Sequence, residues 1–159
     1  MKFTVDAKDL VKALTDIQLK GKYFNGASLT SSSLIENFYG RLHNNTLSLW
    51  NCDTINSLIV KVDLTVEGEE DGTVVGETGE LLKYLKKFSG DVVVKCDDVI
   101  TMTNNNSKLS QPTIANHPNM DTLNRMGQYV IDVHYEENIE TLFEFNKSKF
   151  EGAFQLDSN

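Results

Sequence analysis

The sequence KFTVDAKDLVKAL at residues 2–14 decides the fold, because a similar pattern returns at residues 142–154 as LFEFNKSKFEGAF. The two segments align without a gap, and they match Phe3 with Phe143, Asp6 with Asn146, Leu10 with Phe150, Ala13 with Ala153 and Leu14 with Phe154. Each segment predicts a short strand, a capping Asp or Asn, and an amphipathic helix. The repeat therefore indicates a structural unit that starts at residue 1 and starts again near residue 140.

The composition fits one well-cored domain with little chain left over. The sequence has 159 residues, of which 40% are hydrophobic and only 2 are proline. These values favour a folded protein over a disordered one. Its net charge of −8 argues, at face value, against binding to nucleic acid. No basic-then-apolar leader and no apolar run near 18 residues is visible, so we expect a soluble, intracellular protein.

Two helices are predicted, and both place leucines on one side and lysines on the other. In the first helix Asp6 is the N-cap, and its apolar face is Leu10, Leu14 and Ile17, opposite Lys8 and Lys12. The second helix spans about residues 78–88, with an apolar face of Leu81, Leu85 and Phe88 opposite Lys83 and Lys86, which Lys87 flanks. Each helix is thus expected to pack through its leucines and to expose its lysines.

The strands follow from alternation and turn signals. They are predicted at residues 34–42, 46–51, 57–66, 73–75, 91–96, 99–103 and 108–111, with a further strand at 128–135. Residues 21–33 are expected to form a loop, Asn44 and Asn45 a hairpin turn, residues 67–71 an acidic turn, and residues 112–127 a connector. The order is β-α-β-β-β-β-α-β-β-β, an α+β fold of antiparallel sheets with two helices on one face.

No catalytic, metal or cofactor site is predicted. His43, Cys52, Cys96 and His117 lack the spacing of metal ligands, and the two cysteines, each in a predicted strand, are too few for a disulfide framework. Gly72, Gly76 and Gly79 precede a helix, but no Gly-Lys-Ser/Thr follows them, so a turn and helix entry is the simpler interpretation. Because no nucleophile-base pair or paired carboxylate is visible, an enzyme is disfavoured.

Several segments together resemble the DNA sliding clamps, a family that includes the bacterial beta clamp, proliferating cell nuclear antigen and the phage clamps. The resemblance rests on MKFTVD and LVKAL in residues 1–14, NTLSL at 45–49 with Cys52-Asp53, GDVVVK at 90–95, and HPNMD at 117–121. It covers about residues 1–125 and resumes at residue 142. No motif is specific alone, so the resemblance depends on their order and on the internal repeat.

The resemblance implies a DNA clamp fold with a first domain at residues 1–126, including the connector, and the start of a second at residues 127–159, which the end of the chain cuts short. Two or three such domains per chain would close a homo-oligomeric ring around double-stranded DNA, without sequence preference. The ring would tether a DNA polymerase, with a clamp loader as a further partner and no membrane involvement. The location would be cytoplasmic or nucleoid-associated, or nuclear in a eukaryote.

The resemblance also assigns residues to two surfaces. Its DNA-facing positives would be Lys8, Lys12, Lys20, Lys22, Lys83, Lys86 and Lys87. Its groove for partner peptides would be formed by Leu42, His43, Thr46, Met120, Leu123 and Met126. Two simpler interpretations stay open at this point, since helices commonly expose lysine to water and the three connector residues are equally consistent with packing. A non-replicative scaffold on the same fold, serving transcription or repair, is the alternative function.

Overall fold

A computed structural model of the chain describes residues 1–19, 36–52, 59–105, 107–114, 144–145 and 148–149. Its elements are β1 (Lys2–Asp6), α1 (Ala7–Asp16), β2 (Asn37–His43), β3 (Thr46–Cys52), β4 (Ile59–Thr65), β5 (Glu67–Glu70), β6 (Gly72–Glu77), α2 (Thr78–Leu85), β7 (Asp91–Cys96), β8 (Val99–Asn104), β9 (Ser107–Pro112), β10 (Glu144–Phe145) and β11 (Ser148–Lys149). Up to β9 this order is the predicted one with one strand, β5, added. Lys20, Lys22 and the predicted strand at residues 128–135 lie outside the described residues.

Helix α1 begins where the sequence predicts. The Asp6 carboxylate accepts a hydrogen bond from the Lys8 backbone N–H at 2.8 Å, which satisfies one of the free donors at the helix start. The Ala7 N–H donates to the Gly90 carbonyl at 3.0 Å, so the loop before β7 satisfies a second donor. The buried face of α1 consists of Ala7, Leu10, Ala13 and Leu14.

The first sheet has five strands in the order β5-β1-β7-β8-β9, and all its pairs are antiparallel. The prediction of an acidic turn at residues 67–71 is wrong, because Glu67–Glu70 pairs with β1 as an edge strand. Glycine and glutamate are poor strand formers, so the sequence gives no strand signal here. This segment is a strand because it pairs with β1. Its charged side chains disfavour pairing of the free edge with other strands.

The second sheet has four strands in the order β4-β3-β2-β6, also all antiparallel. The predicted turn between β2 and β3 is confirmed, with φ of 48° at Asn44 and 65° at Asn45. Two successive positive φ values are typical of the type I′ turn, which matches the twist of a two-residue hairpin. The Asn45 side chain then accepts from the Gly68 N–H at 3.0 Å and ties this turn to β5.

The core lies between the inner faces of both sheets and the apolar faces of both helices. The first sheet contributes Phe3, Val94 and Met102 among others, and the second contributes Leu42, Leu47 and Leu49. Helix α2 adds Leu81, Leu82 and Leu85, and it ends at Leu85 rather than at the predicted Phe88. Because both helices contact the second sheet and each other, their remaining sides are free to face outward.

The segment near residue 140 differs from the predicted strand and helix. Glu144–Phe145 is a strand as predicted, but Ser148–Lys149 pairs with it as a second strand, so the predicted helix is wrong at these two residues. Helices in proteins depend on packing of their apolar face more than on intrinsic propensity, and serine favours turns over helix interiors. The rest of the repeat lies outside the described residues, and the domain division at residues 126 and 127 stays a prediction.

Candidate nucleic-acid interface

The described lysines of the two helices are all exposed, and each helix carries them opposite its buried face. Lys8 and Lys12 lie on α1, Lys83 on α2, and Lys86 and Lys87 at its C-terminal end. The helices pack against each other, so the two sets belong to neighbouring elements of one surface. We call these five residues the helix lysines. Their exposure is as predicted, whereas their role in binding is not tested by it.

Acidic side chains lie among the helix lysines. Asp9 and Asp16 are exposed on α1, and Glu80 is exposed on α2, where its Oε1 lies 3.9 Å from the Lys83 Nζ. Both side chains of that pair are about half exposed or more, at 63% for Lys83 and 47% for Glu80. Pairs of this kind contribute little to stability and are screened by salt. The surface is therefore basic in patches rather than uniformly positive.

Tyr84 lies between two of the helix lysines. The Nζ of Lys83 is 5.4 Å from the centre of its ring, and the Nζ of Lys87 is 5.2 Å from the same point. Both distances are within the range of a cation-π interaction. The sequence interpretation did not single out Tyr84, although an aromatic residue one position after one lysine and three before another is a visible signal on a helix.

The predicted partner-groove residues are only partly brought together. His43 and Thr46 are exposed beside the turn between β2 and β3, and the His43 Nδ1 is 3.0 Å from the Asp71 Oδ2. Leu42 is 1% exposed and belongs to the core, so its side chain cannot line a surface groove. Met120, Leu123 and Met126 lie outside the described residues.

A groove that the sequence did not predict lies between α2, the end of β6, and β9. It has a volume of about 490 Å³, and its lining includes Tyr84, Leu109 and Ile114 together with Glu77 and Glu80. The Ile114 N–H donates to the Val75 carbonyl at 3.0 Å, which fixes the chain after β9 beside β6. We call this the α2–β9 groove. It combines half-buried apolar side chains with two carboxylates at the edge of a sheet.

The Cys96 thiol is buried and is not suited to nucleophilic catalysis. Burial raises the pKa of the Cys96 thiol from its ordinary 9.0 to about 12, so it is protonated and unreactive at neutral pH. Within the described part of the chain no three His, Cys, Asp or Glu side chains gather as a metal site. None of its helices is long and apolar enough to cross a membrane.

Comparison with solved structures identifies the architecture. The Helicobacter pylori beta clamp in complex with carprofen superposes with a TM-score of 0.60 at 18% identity, covering 72% of this chain and 30% of that one. Caulobacter crescentus pol III beta gives a TM-score of 0.59 at 18% identity over the same shares. The chain has the fold of the beta sliding clamps. The likeness extends to an H. pylori beta clamp bound to a DNA ligase peptide, at a TM-score of 0.59, 18% identity, and coverage of 72% and 31%.

Within the clamp fold, this chain spans about 30% of the length of the beta clamps that it matches. No protein-family profile matches the sequence, and no curated protein matches it either. At 18% identity the likeness shows the fold alone and does not show which DNA or partner proteins this chain binds.

Proposed function

We propose that this chain acts in a DNA sliding clamp, a ring that encircles duplex DNA and tethers the proteins that work on it, including a polymerase. The observation that carries the proposal is the pair of adjacent helices that bury their leucines against the sheets and expose the helix lysines. A clamp needs such a surface toward DNA, and the chain has the corresponding fold. This role would place the protein at the nucleoid, or in the nucleus of a eukaryote.

Overall acidity is compatible with this role because the helix surface exposes more lysines than acidic side chains. The net charge is −8, while the described parts of α1 and α2 with its C-terminal turn expose five lysines. Lysine contacts phosphate as a point charge and reads no base, so the contact is sequence-independent and suits movement along DNA. Each phosphate neutralised should add about 0.9 to the slope of log affinity against log salt. The exposed Asp9, Asp16 and Glu80 would keep the hold on DNA weak.

Assembly into a ring is supported by the edges of the two sheets. Strands β4 and β9 each pair on one side only among the described strands, as do β5, whose edge is acidic, and β6, where the Val75 carbonyl accepts from the Ile114 N–H. The α2–β9 groove adds apolar surface beside the β9 edge. An unpaired edge with apolar side chains next to it favours association with another chain or domain. We propose that copies of this chain join through the β4 and β9 edges.

The partner surface is proposed at the tip of the hairpin between β2 and β3. A solved H. pylori beta clamp holds a DNA ligase peptide, which supports peptide binding as a property of the fold. In this chain His43 and Thr46 are exposed at the tip, and we propose that they form the groove with Met120, Leu123 and Met126. A polymerase and a clamp loader are the partners that this function requires.

The first experiment is the mass of the full chain in solution, combined with images of the particles. A closed, ring-shaped assembly of several copies supports the proposal, and a strictly monomeric protein at micromolar concentration contradicts it. Polymerase stimulation on primed DNA then separates a replicative clamp from a transcription or repair scaffold. A ring that holds DNA without stimulating the polymerase of its own cell would favour the scaffold.

A further inference from the structure

Tyr84 is the residue of the helix surface whose contacts the proposed function leaves unexplained. We propose that Tyr84 is a positioning residue that holds the ammonium groups of Lys83 and Lys87 ready for DNA phosphates. This inference rests on the proposed function, since it assigns a role within the same DNA-facing surface. It makes Tyr84, which contacts no phosphate itself, a determinant of how tightly the surface holds DNA.

The geometry supports a direct action of the ring on both lysines. The two Nζ atoms lie 5.4 Å and 5.2 Å from one ring centre. The quadrupole of an aromatic ring attracts a cation within about 6 Å of its centre. Within the described residues, Lys83 and Lys87 are the helix lysines that lie over an aromatic ring, and the ring of Tyr84 serves both.

The benefit to DNA binding is entropic. A free lysine side chain populates many rotamers, and binding a phosphate requires one of them to be selected. A ring that already restrains the ammonium reduces this cost, which is the general effect of preorganisation. The ammonium has three N–H donors, so contact with the ring on one side leaves donors free for a phosphate on the other. The exposed Glu80 carboxylate, 3.9 Å from the Lys83 Nζ, competes with a phosphate for this ammonium, and salt screens its attraction.

The test compares Tyr84→Leu with Tyr84→Phe in the full chain. Leucine keeps an apolar side chain of suitable size in the helix but has no ring, whereas phenylalanine keeps the ring and loses only the hydroxyl. Duplex binding is followed by fluorescence anisotropy of a labelled DNA at about 50 mM salt, where phosphate contacts are strong. We expect Tyr84→Leu to weaken binding by about two- to five-fold and Tyr84→Phe to bind like the wild type.

A double-mutant cycle shows whether the effect passes through the lysines. In a Lys83→Gln, Lys87→Gln background, Tyr84→Leu should cost nothing further. Those lysine changes should lower the salt slope by up to about 1.8, whereas Tyr84→Leu alone should leave the slope almost unchanged. The mass of each variant is measured in parallel, because Tyr84 also lines the α2–β9 groove and a loss through dissociation would not support the proposal.

A second readout is independent of DNA. The ring current of Tyr84 should shift the ε-methylene protons of Lys83 and Lys87 upfield in the NMR spectrum, and the shift should vanish in Tyr84→Leu and persist in Tyr84→Phe. The inference is overturned if Tyr84→Leu binds DNA as well as the wild type, or if both Tyr84 variants weaken it equally. A wild-type chain with no salt-dependent DNA binding would overturn the proposed function as well. Normal lysine dependence without a Tyr84 effect would overturn this inference alone.

Discussion

Gly76→Ala should destabilise the protein, because Gly76 of the second sheet packs tightly against Ile100 of the first. A Cβ at this position would lie 2.7 Å from the Ile100 Cδ1 and 2.8 Å from the Phe38 Cε1. Ile100 is 1% exposed and Phe38 is 4% exposed, so both side chains belong to the core and at least one must shift to admit the methyl group. Ile100 belongs to β8 and Phe38 to β2, which means that one added methyl group strains the contact between both sheets.

The expected magnitude follows from two opposing effects. Overpacking of a filled core costs about 1–3 kcal/mol. Replacing glycine restricts the unfolded chain and returns about 0.4–1 kcal/mol. We therefore expect a net loss of about 1–2 kcal/mol in the free energy of unfolding, which corresponds to a decrease in Tm of about 2–8 °C for a chain of this size.

Gly79→Ala is the matched control. A Cβ at Gly79 would have the Glu77 Oε1 at 3.9 Å as its nearest neighbour, and the residue lies exposed in the first turn of α2. Alanine is the better helix former, so this variant should be stabilised by up to about 1 kcal/mol. The same Gly→Ala change is thus expected to lower the free energy of unfolding at one position and to raise it at another three residues away.

Urea denaturation of both variants provides the measurement. Ile100→Val, which removes the Cδ1 atom nearest to the new methyl group, should cost about 0.5–1.5 kcal/mol alone and less in the Gly76→Ala background. If Gly76→Ala is as stable as the wild type, the two sheets do not pack at Gly76 and Ile100 as described.

Two further predictions concern the start of α1 and the buried thiol. Asp6→Ala should lower the free energy of unfolding by about 1 kcal/mol, because the hydrogen bond from the Lys8 N–H is lost, whereas Asp6→Asn keeps an acceptor. Urea denaturation of both variants checks this. Equal losses of stability in the two variants would count against the cap. In a Cys52→Ser background the Cys96 thiol should resist Ellman's reagent at pH 8 and react once the chain is unfolded. Because its folded pKa is about 12 and exceeds the ordinary 9.0, the unfolded state loses the proton first. Stability should therefore fall by about 1.4 kcal/mol per pH unit between these values, relative to Cys96→Ala. A thiol that reacts at pH 8 in the folded state would show that it is not buried.

The helices and most strands are predictable because their signals are local. Asp6 followed by leucines at helical spacing defines α1, and Asn44 with Asn45 defines the hairpin turn. Strand β5 is not predictable in this way, since Glu67–Glu70 has the composition of a turn and is a strand only because β1 offers it hydrogen bonds. Tertiary pairing of this kind leaves no periodic pattern in the sequence.

The candidate site shows the same division. Exposure of the helix lysines follows from helical spacing, which fixes both the buried and the outward sides. Leu42 shows the limit, because it neighbours exposed His43 in sequence while alternation along β2 turns its side chain into the core. The α2–β9 groove depends on where the chain runs after β9, and no local signal in the sequence specifies that contact.

Topological retention on DNA tests the central claim most directly. The chain is allowed to thread onto a linear duplex, both ends are then blocked by bound protein, and the DNA is washed at about 0.5 M salt, where contacts between exposed charges are screened. A ring predicts retention on the blocked DNA and rapid release once a nuclease cuts between the blocks. Loss of the protein in the wash regardless of the blocks, while it remains assembled, would contradict a clamp that encircles DNA.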